Sequence, residues 1–446
     1  MSLTISIVFL LLFLLYMSFL MISLRKEGLT FKLGICFGVL YFIFIPVFMM
    51  VTTGVLLLPV VDFGITTLSD VVLQENIRSS WILILFLSVI LGYLFFPSIS
   101  GKGLKSAENS RSDYFVKWQI PLAVYVFLTL FIFIRSGMLE GGNWYNNRHD
   151  FMNEGGALAV LMVFTLNAAK VLFIAVMFNS WKKDNRKLTL VALLVFLLLD
   201  MLVSGNRVYA FITGSMILLT YFNKYPITVL KYSAITAPLL FIAAYFGTIF
   251  RHMRGPLFEE GVPGFKRFKE VLIYAVNHEP PDIYDFLSGI SESVNVNVIY
   301  DLFNRYSDFL YGSTYLKTIL FPIPRSIWQS KPISITSITG EFFGSVSLVT
   351  TFIGEMFMNF SYFGIVLLPL FLILTEYFLK VLFKNFHPYT RILLFFIGLM
   401  IFRMPYSDTI LVALLIFMIL RISAIKWKFT LSSRNLSKPS TKPIEQ

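Results

Sequence analysis

A succession of long apolar stretches, separated by short polar connections, dominates this chain. A transmembrane helix needs about 20 mostly apolar residues, and roughly eleven stretches approach that length. They lie at 3–24, 33–60, 81–96, 119–134, 157–180, 188–203, 208–222, 227–250, 360–378, 392–402 and 409–420. The pattern predicts an all-α polytopic integral membrane protein with about eleven transmembrane helices.

The composition supports the same class of protein. Only 14% of the residues are charged and the mean hydropathy is +0.76, whereas soluble domains carry about 25% charged residues. Soluble, secreted, fibrous and disordered proteins are therefore excluded. The single cysteine, Cys36, excludes an intrachain disulfide and a cysteine-rich metal site.

The net charge of +12 is distributed unevenly. When the apolar stretches are threaded alternately through a membrane, most lysines and arginines of the short connections and the tail fall on one side. Because basic residues accumulate on the cytoplasmic side, that side is cytoplasmic and the N-terminus points outward. The basic excess thus indicates topology and attraction to anionic membrane lipid, and it does not indicate nucleic-acid binding.

One connection is far longer than the others. We divide the chain into eight transmembrane helices in 1–250, a large outer loop at 251–359, three helices in 360–422 and a cytoplasmic tail at 423–446. A loop of this length is usually functional.

Within this loop, apolar residues recur at helical spacing at Phe265, Phe268, Leu272 and Ala275, with charged residues between them. This pattern predicts an amphipathic helix. The helix either lies on the outer membrane surface or packs over the bundle.

Charged residues inside apolar stretches need partners, because an isolated intramembrane charge is costly. Lys170 either pairs with a buried partner such as Asp200 or faces a substrate cavity. Glu376 and Lys380 are four residues apart, which favours a local ion pair.

No nucleotide-binding, zinc-protease or serine-hydrolase motif occurs in the sequence. We therefore expect no metal and no cofactor. An enzyme of this kind would act on a substrate presented at the outer face of the membrane.

Arginines gather at the predicted outer face. Arg207 ends the connection 204–207 (SGNR), and Arg403 and Asp408 flank a second short connection. Arg251 and Arg254 begin the large loop, and Arg148 lies in an earlier outer connection. Each arginine alone could snorkel to the lipid headgroups. As a set they favour an anion site, because guanidinium groups bind phosphate oxygens in a bidentate manner.

The most distinctive stretch comprises 311–315 (YGSTY) and then 321–332 (FPIPRSIWQSKP). Its three prolines predict an extended path. On that path Trp328 could stack on a sugar face while Arg325 and Lys331 face anions. The alternative is a rigid loop packed by its own aromatic residues.

The stretch 354–364, GEMFMNFSYFG, leads into the next apolar segment, which we expect to begin at Phe360. Glu355 is then placed at the outer mouth of a helix. A carboxylate at this place either interacts with the helix dipole or serves as a general base.

These three stretches, 204–207, 324–332 and 354–364, resemble those of the Wzy-type O-antigen polymerases, also called oligosaccharide repeat unit polymerases. The layout is also similar: many helices, basic inner loops and one long outer loop before the last few spans. The residue-level resemblance runs from about Ser204 to Gly364.

The resemblance implies a metal-independent inverting glycosyltransferase in the bacterial inner membrane. Its substrates are undecaprenyl-pyrophosphate-linked oligosaccharides on the periplasmic face, and a chain-length regulator protein is an implied partner. Arg207 and Arg325, with Arg251 or Arg254, would stabilise the pyrophosphate leaving group. Glu355 is the first candidate for the base. The alternative candidates for the base are His278, His149 and Asp408.

Two other functions remain open. The resemblance extends to the related O-antigen ligases, which depend on a histidine in the long outer loop. This loop offers His252 and His278, but neither lies in the ligase pattern, so the polymerase is favoured. A flippase or transporter for lipid-linked glycan would instead favour short outer loops, more intramembrane charge and internal repeats.

Overall fold

The structure is a computed structural model of the full chain. The structure describes residues 3–48, 77–97, 117–136, 151–152, 155–184, 187–204, 208–225, 249, 253, 257, 265–278, 294–320, 323, 327–329, 331–332, 335–343 and 349–424.

Every regular element in these ranges is helical, as the apolar pattern predicts. The α-helices, in chain order, are α1 (Leu3–Glu27), α2 (Phe31–Val39), α3 (Ile77–Phe95), α4 (Gln119–Arg135), α5 (Gly156–Asp184), α6 (Lys187–Ser204), α7 (Val208–Lys224), α8 (Phe265–His278), α9 (Val294–Arg305), α10 (Ser313–Ile319), α11 (Ile335–Phe342), α12 (Thr351–Phe360), α13 (Phe363–Phe383), α14 (His387–Met400) and α15 (Tyr406–Ala424).

Within the described ranges, six helical segments are long and apolar enough to cross a membrane. They are Leu3–Glu27, Phe31–Phe48, Ile77–Phe95, Gly156–Lys182, Phe363–Phe383 and Tyr406–Ser423. Two shorter apolar segments are Gln119–Arg135 and Tyr389–Met400. The chain is therefore a multi-pass helical membrane protein, and the predicted number of eleven spans remains a prediction.

Helices α2 and α14 approach each other closely through glycines. A Cβ atom added at Gly34 would lie 2.2 Å from the carbonyl oxygen of Phe395, and one added at Gly398 would lie 2.4 Å from that of Phe31. Small residues at such positions let helix backbones come together in a membrane, where packing replaces the hydrophobic driving force. Beyond this contact α2 continues through a π-helical turn, Leu40–Phe44.

Two charged residues inside the apolar helices form a buried ion pair. The ammonium of Lys170 on α5 lies 2.6 Å from the carboxylate of Asp200 on α6, and both side chains are buried. Tyr125 on α4 donates a hydrogen bond to the same carboxylate at 2.7 Å. The ring of Tyr209 on α7 lies 4.4 Å from the ammonium. The predicted Lys170–Asp200 pair is confirmed, and it ties four helices together.

A second predicted ion pair is also confirmed. Lys380 lies 2.6 Å from Glu376 on α13, and Tyr93 on α3 donates to the other carboxylate oxygen at 2.7 Å. The ammonium of the neighbouring Lys32 donates to the carbonyls of Tyr93 and Phe96 at the end of α3. These contacts join α2, α3 and α13 at one end of the bundle.

The amphipathic segment forms α8, as its spacing predicts. Val271 and Ala275 are buried, and the same face of α8 packs on Ile249, Met253 and Leu257. The apolar face is thus covered by residues of this chain. Packing against other residues of this protein explains the amphipathic pattern of α8. Contact of α8 with the membrane surface remains a prediction.

The segment around residue 360 differs from the expectation. We expected a span to begin at Phe360, but α12 ends there and α13 begins at Phe363. Ser361 between them has a positive φ of 54°, and Thr351, the first residue of α12, has a φ of 55°. Because L-residues rarely adopt such values, both ends of α12 are sharp breaks in the helical path. The sequence pattern missed the break because 349–364 contains no proline and a single polar residue such as Ser361 does not mark a helix end.

Candidate functional site

The candidate site lies where three helices of the C-terminal half meet. α12 supplies Glu355 and Asn359, α10 supplies Thr314, and the first turn of α15 supplies Ser407 and Asp408. Glu355 and Asn359 are fully buried and four residues apart, so they share one face of α12.

The carboxylate of Glu355 is held by two donors from two other helices. The hydroxyl of Thr314 donates to Oε1 at 2.9 Å, and the backbone N–H of Ser407 donates to Oε2 at 3.2 Å. The start of a helix presents free N–H groups and a positive dipole end, which favour a carboxylate. We expected Glu355 at the N-terminus of the helix that follows it, α13. The helix N-terminus that Glu355 contacts is instead that of α15.

Asn359 completes this hydrogen-bond network. Its Nδ2 donates to the hydroxyl of Thr314 at 2.9 Å and to the backbone carbonyl of Glu355 at 2.8 Å. Thr314 therefore accepts from Asn359 while it donates to Glu355. The three side chains form one chain of hydrogen bonds that fixes the rotamer of the carboxylate.

A tight reversal brings Thr314 to α12. The N–H groups of Leu310 and Tyr311 donate to the carbonyls of Met358 and Asn359 at 3.0 and 2.9 Å, which satisfies the last turn of α12. Gly312 then adopts a φ of 81°, a conformation that glycine tolerates without a Cβ clash, and α10 starts at the next residue. Thr314 is therefore the second residue of α10 and lies beside Glu355.

Aromatic rings enclose one side of the network. We call Tyr315, Phe352, Phe360, Phe371 and Tyr406 the aromatic cluster. Tyr315 contacts Phe360, Phe371 and Tyr406 with ring centroids 4.9 to 5.9 Å apart, and Tyr406 stacks on Phe352 at 4.9 Å. The cluster keeps water away from the carboxylate.

Burial changes the acidity of this carboxyl group. Helix α12 is ten residues long, too short to cross a membrane, so Glu355 lies outside the spanning segments. Burial raises the pKa of Glu355 from 4.5 to about 7, and the hydrogen bonds from Ser407 and Thr314 oppose the rise. A carboxyl group with this pKa exchanges a proton near neutral pH, as a general base or acid requires.

Asp408 and Arg403 lie close to the same network. Asp408 directly follows Ser407, and the polar groups that face it are the ammonium of Lys317 and the hydroxyl of Thr336. The N–H of Phe352 donates to the carbonyl of Ile401 at 2.9 Å, which brings the start of α12 beside the turn that carries Arg403. The structure thus brings three predicted site residues, Glu355, Arg403 and Asp408, into one region.

Lys331 and Trp328 belong to the loop before α11. Lys331 is buried, and its ammonium donates to the carbonyl of Ile323 at 2.8 Å, while its backbone N–H donates to the carbonyl of Trp328 at 3.1 Å. The lysine therefore anchors its own loop. The role of Trp328 and Lys331 in substrate binding stays a prediction.

The side chains of the other predicted site residues lie outside the described part of the chain. His278 is the last residue of α8, and its side chain is outside the described part of the chain. The others lie outside the described residues altogether: Arg148, His149, Arg207, Arg251, His252, Arg254 and Arg325.

Sequence reasoning missed the partners of Glu355. Asn359 was assigned to the end of the loop, although its position four residues after Glu355 would have placed both on one helical face. Thr314 and Ser407 are 41 and 52 residues away from Glu355. No local pattern connects such distant positions.

Comparison with known proteins gives no relative. No family model, no curated protein and no solved structure matches this chain. The fold and the buried polar network define the class as a multi-pass, all-helical membrane protein with a polar site at the junction of three of its helices.

Proposed function

We propose that this protein polymerises oligosaccharide repeat units carried on undecaprenyl pyrophosphate, as the Wzy-type O-antigen polymerases do. The reaction takes place at the periplasmic face of the bacterial inner membrane. The growing glycan is transferred from its lipid pyrophosphate to the non-reducing end of a new lipid-linked unit. One observation carries the proposal. Glu355 is a buried carboxylate with a pKa of about 7, held beside the first turn of an apolar helix.

The chemistry of the transfer needs a base and an anion-stabilising group. Glu355 accepts the proton of the attacking sugar hydroxyl as its oxygen forms the new bond to the anomeric carbon. The bond from that carbon to the pyrophosphate oxygen breaks at the same time, and its electron pair leaves with the pyrophosphate. Arg207 and Arg325, with Arg251 or Arg254, stabilise the charge that develops there. Attack from the opposite face inverts the anomeric centre.

The burial of Glu355 sets a condition on this mechanism. The carboxylate is 0% exposed between α10, α12 and α15. The acceptor hydroxyl therefore reaches it only when these helices move apart as substrate binds. Closure around the substrate then excludes water, which would otherwise hydrolyse the glycosyl donor.

Two alternatives use the same membrane architecture. An O-antigen ligase would transfer the finished glycan to a different acceptor and would use a loop histidine such as His252 or His278. A flippase would move the lipid-linked unit across the membrane without chemistry. The long outer loop predicted at 251–359 favours a transferase over a flippase, for which short outer loops are expected.

The test is a gel of surface polysaccharide from a strain that lacks this gene. A polymerase predicts that single repeat units replace the ladder, because units are still exported and attached. Complete loss of surface glycan, with lipid-linked units inside the cell, would identify a flippase instead. Full-length polymer that accumulates on the lipid carrier would identify a ligase.

A further inference from the structure

One buried acceptor in the Glu355 network lacks a donor. Among the described residues, the Oδ1 atom of Asn359 has no hydrogen-bond partner although the side chain is fully buried. Most buried polar side-chain atoms in folded proteins are paired with protein or ordered water. An orphan acceptor beside a buried carboxylate therefore calls for a donor that the described residues do not supply.

The orientation of the amide is fixed by its other half. Nδ2 donates to the backbone carbonyl of Glu355, a group that only accepts. A flipped amide would place Oδ1 against this carbonyl oxygen and would lose the bond. Nδ2 also donates to Thr314, whose own hydrogen is given to Glu355. The Oδ1 atom must consequently point away from both.

A single ligand group would satisfy this arrangement. Glu355 and Asn359 lie on one face of α12 and are bridged by one hydroxyl, that of Thr314. Together they offer a carboxylate oxygen and an amide oxygen, which are both acceptors. A cation is a poor match, because the described residues contain no group of three metal-ligating side chains, and the nearby Asp408 already faces Lys317. A neutral O–H donor fits the acceptor that is still unpaired, Asn359 Oδ1.

We propose that Asn359 Oδ1, beside Glu355, is a binding site for a hydroxyl group. The hydroxyl donates its one hydrogen to Oδ1; on an acceptor sugar it is therefore a neighbour of the attacking hydroxyl, whose own hydrogen goes to Glu355. Two sources have this chemistry, an ordered water molecule and a hydroxyl of a bound carbohydrate. The carbohydrate source rests on the proposed function, in which Asn359 orients the acceptor sugar; the hydroxyl site itself does not.

The direct test is a high-resolution structure of the full chain in lipid nanodiscs. It is determined alone and with single undecaprenyl-pyrophosphate-linked repeat units extracted from the strain that lacks this gene. We expect a density feature about 2.6–3.2 Å from Asn359 Oδ1. A feature that is present only with the lipid-linked unit identifies a sugar hydroxyl, and one present in both states identifies water. An apolar contact or no feature in either state overturns the site.

The kinetic test compares two buried asparagines in a reconstituted polymerisation assay. Asn359→Leu removes the acceptor. Asn297→Leu is the matched control, since Asn297 on α9 is equally buried and, among the described residues, has an equally unpaired amide oxygen but lies outside the Glu355 network. Loss of one hydrogen bond to the acceptor predicts a KM for lipid-linked units about tenfold higher in Asn359→Leu. The control keeps the KM of the wild type.

A second variant keeps the test decisive if Asn359→Leu does not fold. In Asn359→Thr the hydroxyl can donate to the carbonyl four residues earlier, as Thr318 and Thr375 do in this protein. This variant retains the bond to Glu355 but lacks Oδ1, so the same rise in KM is expected. An unchanged KM in a folded Asn359 variant overturns the proposal. If the wild type forms no polymer, the proposed function fails, and the density at Oδ1 still decides the hydroxyl site.

Discussion

The carboxylate of Glu355 accepts a hydrogen bond from the backbone N–H of Ser407 at 3.2 Å, across 52 residues of sequence. This bond joins a short, buried helix to the first turn of the last apolar helix of the described chain. A charged group at this position neutralises the helix terminus, and the same terminus stabilises the charge. An amide in place of the carboxylate keeps an acceptor oxygen for one of the two donors, Ser407 or Thr314, so it should affect chemistry more than assembly.

Glu355→Gln should block chain growth while the protein remains in the membrane at its normal level. Glutamine retains the carbonyl oxygen that accepts from Ser407 or Thr314, but it cannot take a proton from a sugar hydroxyl. The measurement is the ladder of surface polysaccharide together with the membrane content of the protein. Glu341→Gln is the matched control, because Glu341 is an exposed carboxylate on α11. Normal chain length in Glu355→Gln would assign the base to a histidine.

The rate of polymerisation should rise with pH through about 7, because burial raises the pKa of Glu355 to that value and the base must be ionised. Stability should change in the opposite direction. Between pH 4.5 and about 7 the unfolded chain loses this proton while the folded protein retains it, so the free energy of unfolding falls as pH rises.

The effect of pH on stability can be tested with one variant. Thermal unfolding of wild type and Glu355→Gln is followed from pH 4 to pH 8. The variant should lack the fall in stability over that interval, since glutamine does not titrate. Parallel curves for the two proteins would show that Glu355 does not carry the raised pKa.

Breaking the buried pair should destabilise the protein strongly. Asp200→Asn or Lys170→Met leaves one buried charge without its counterion, which costs about 3–5 kcal/mol of unfolding free energy. The double variant Lys170→Met with Asp200→Leu should recover much of this loss. Lys266→Met is the control, because the Lys266–Glu270 pair is exposed and 4.0 Å apart. Denaturant unfolding in detergent measures all four, and equal losses for the single and double variants would contradict the pairing argument.

Gly34→Ala should separate α2 from α14. The added methyl would lie 2.2 Å from a backbone oxygen that cannot rotate away, so a loss of roughly 1–3 kcal/mol is expected from overpacking. Gly92→Ala on α3 has no atom within 4 Å of the added methyl and should be tolerated. The midpoints of thermal unfolding of the two variants provide the comparison. A Gly34→Ala protein as stable as Gly92→Ala would mean that the helices are not in this contact.

Arg207→Lys should fail to support polymer formation, as should Arg207→Ala. A lysine retains the charge but cannot bind two phosphate oxygens with a planar fork. Surface polysaccharide gels of the two variants test this, with membrane content as the control for insertion. Near-normal polymer in Arg207→Lys would contradict bidentate binding, and loss of both variant proteins from the membrane would favour a headgroup-anchoring role.

The local features of the fold could be predicted from the sequence, whereas the distant contacts could not. Apolar length predicted the helical class, and the expense of intramembrane charge predicted the partner of Lys170. The spacing of Phe268, Leu272 and Ala275 predicted a helix, but spacing does not say what covers its apolar face. The network of Glu355 depends on Thr314 and Ser407, which only tertiary packing brings together.

The breaks at Thr351 and Ser361 have a consequence for biogenesis. A ten-residue helix with a sharp bend at each end cannot be inserted as part of the span that follows it. It must dock after α15 has been synthesised, because Ser407 provides one of its two carboxylate donors. Assembly of the Glu355 network is thus a late, post-insertional step, and a ribosome-bound chain ending before Tyr406 would contain every residue of α12 without its docking partner.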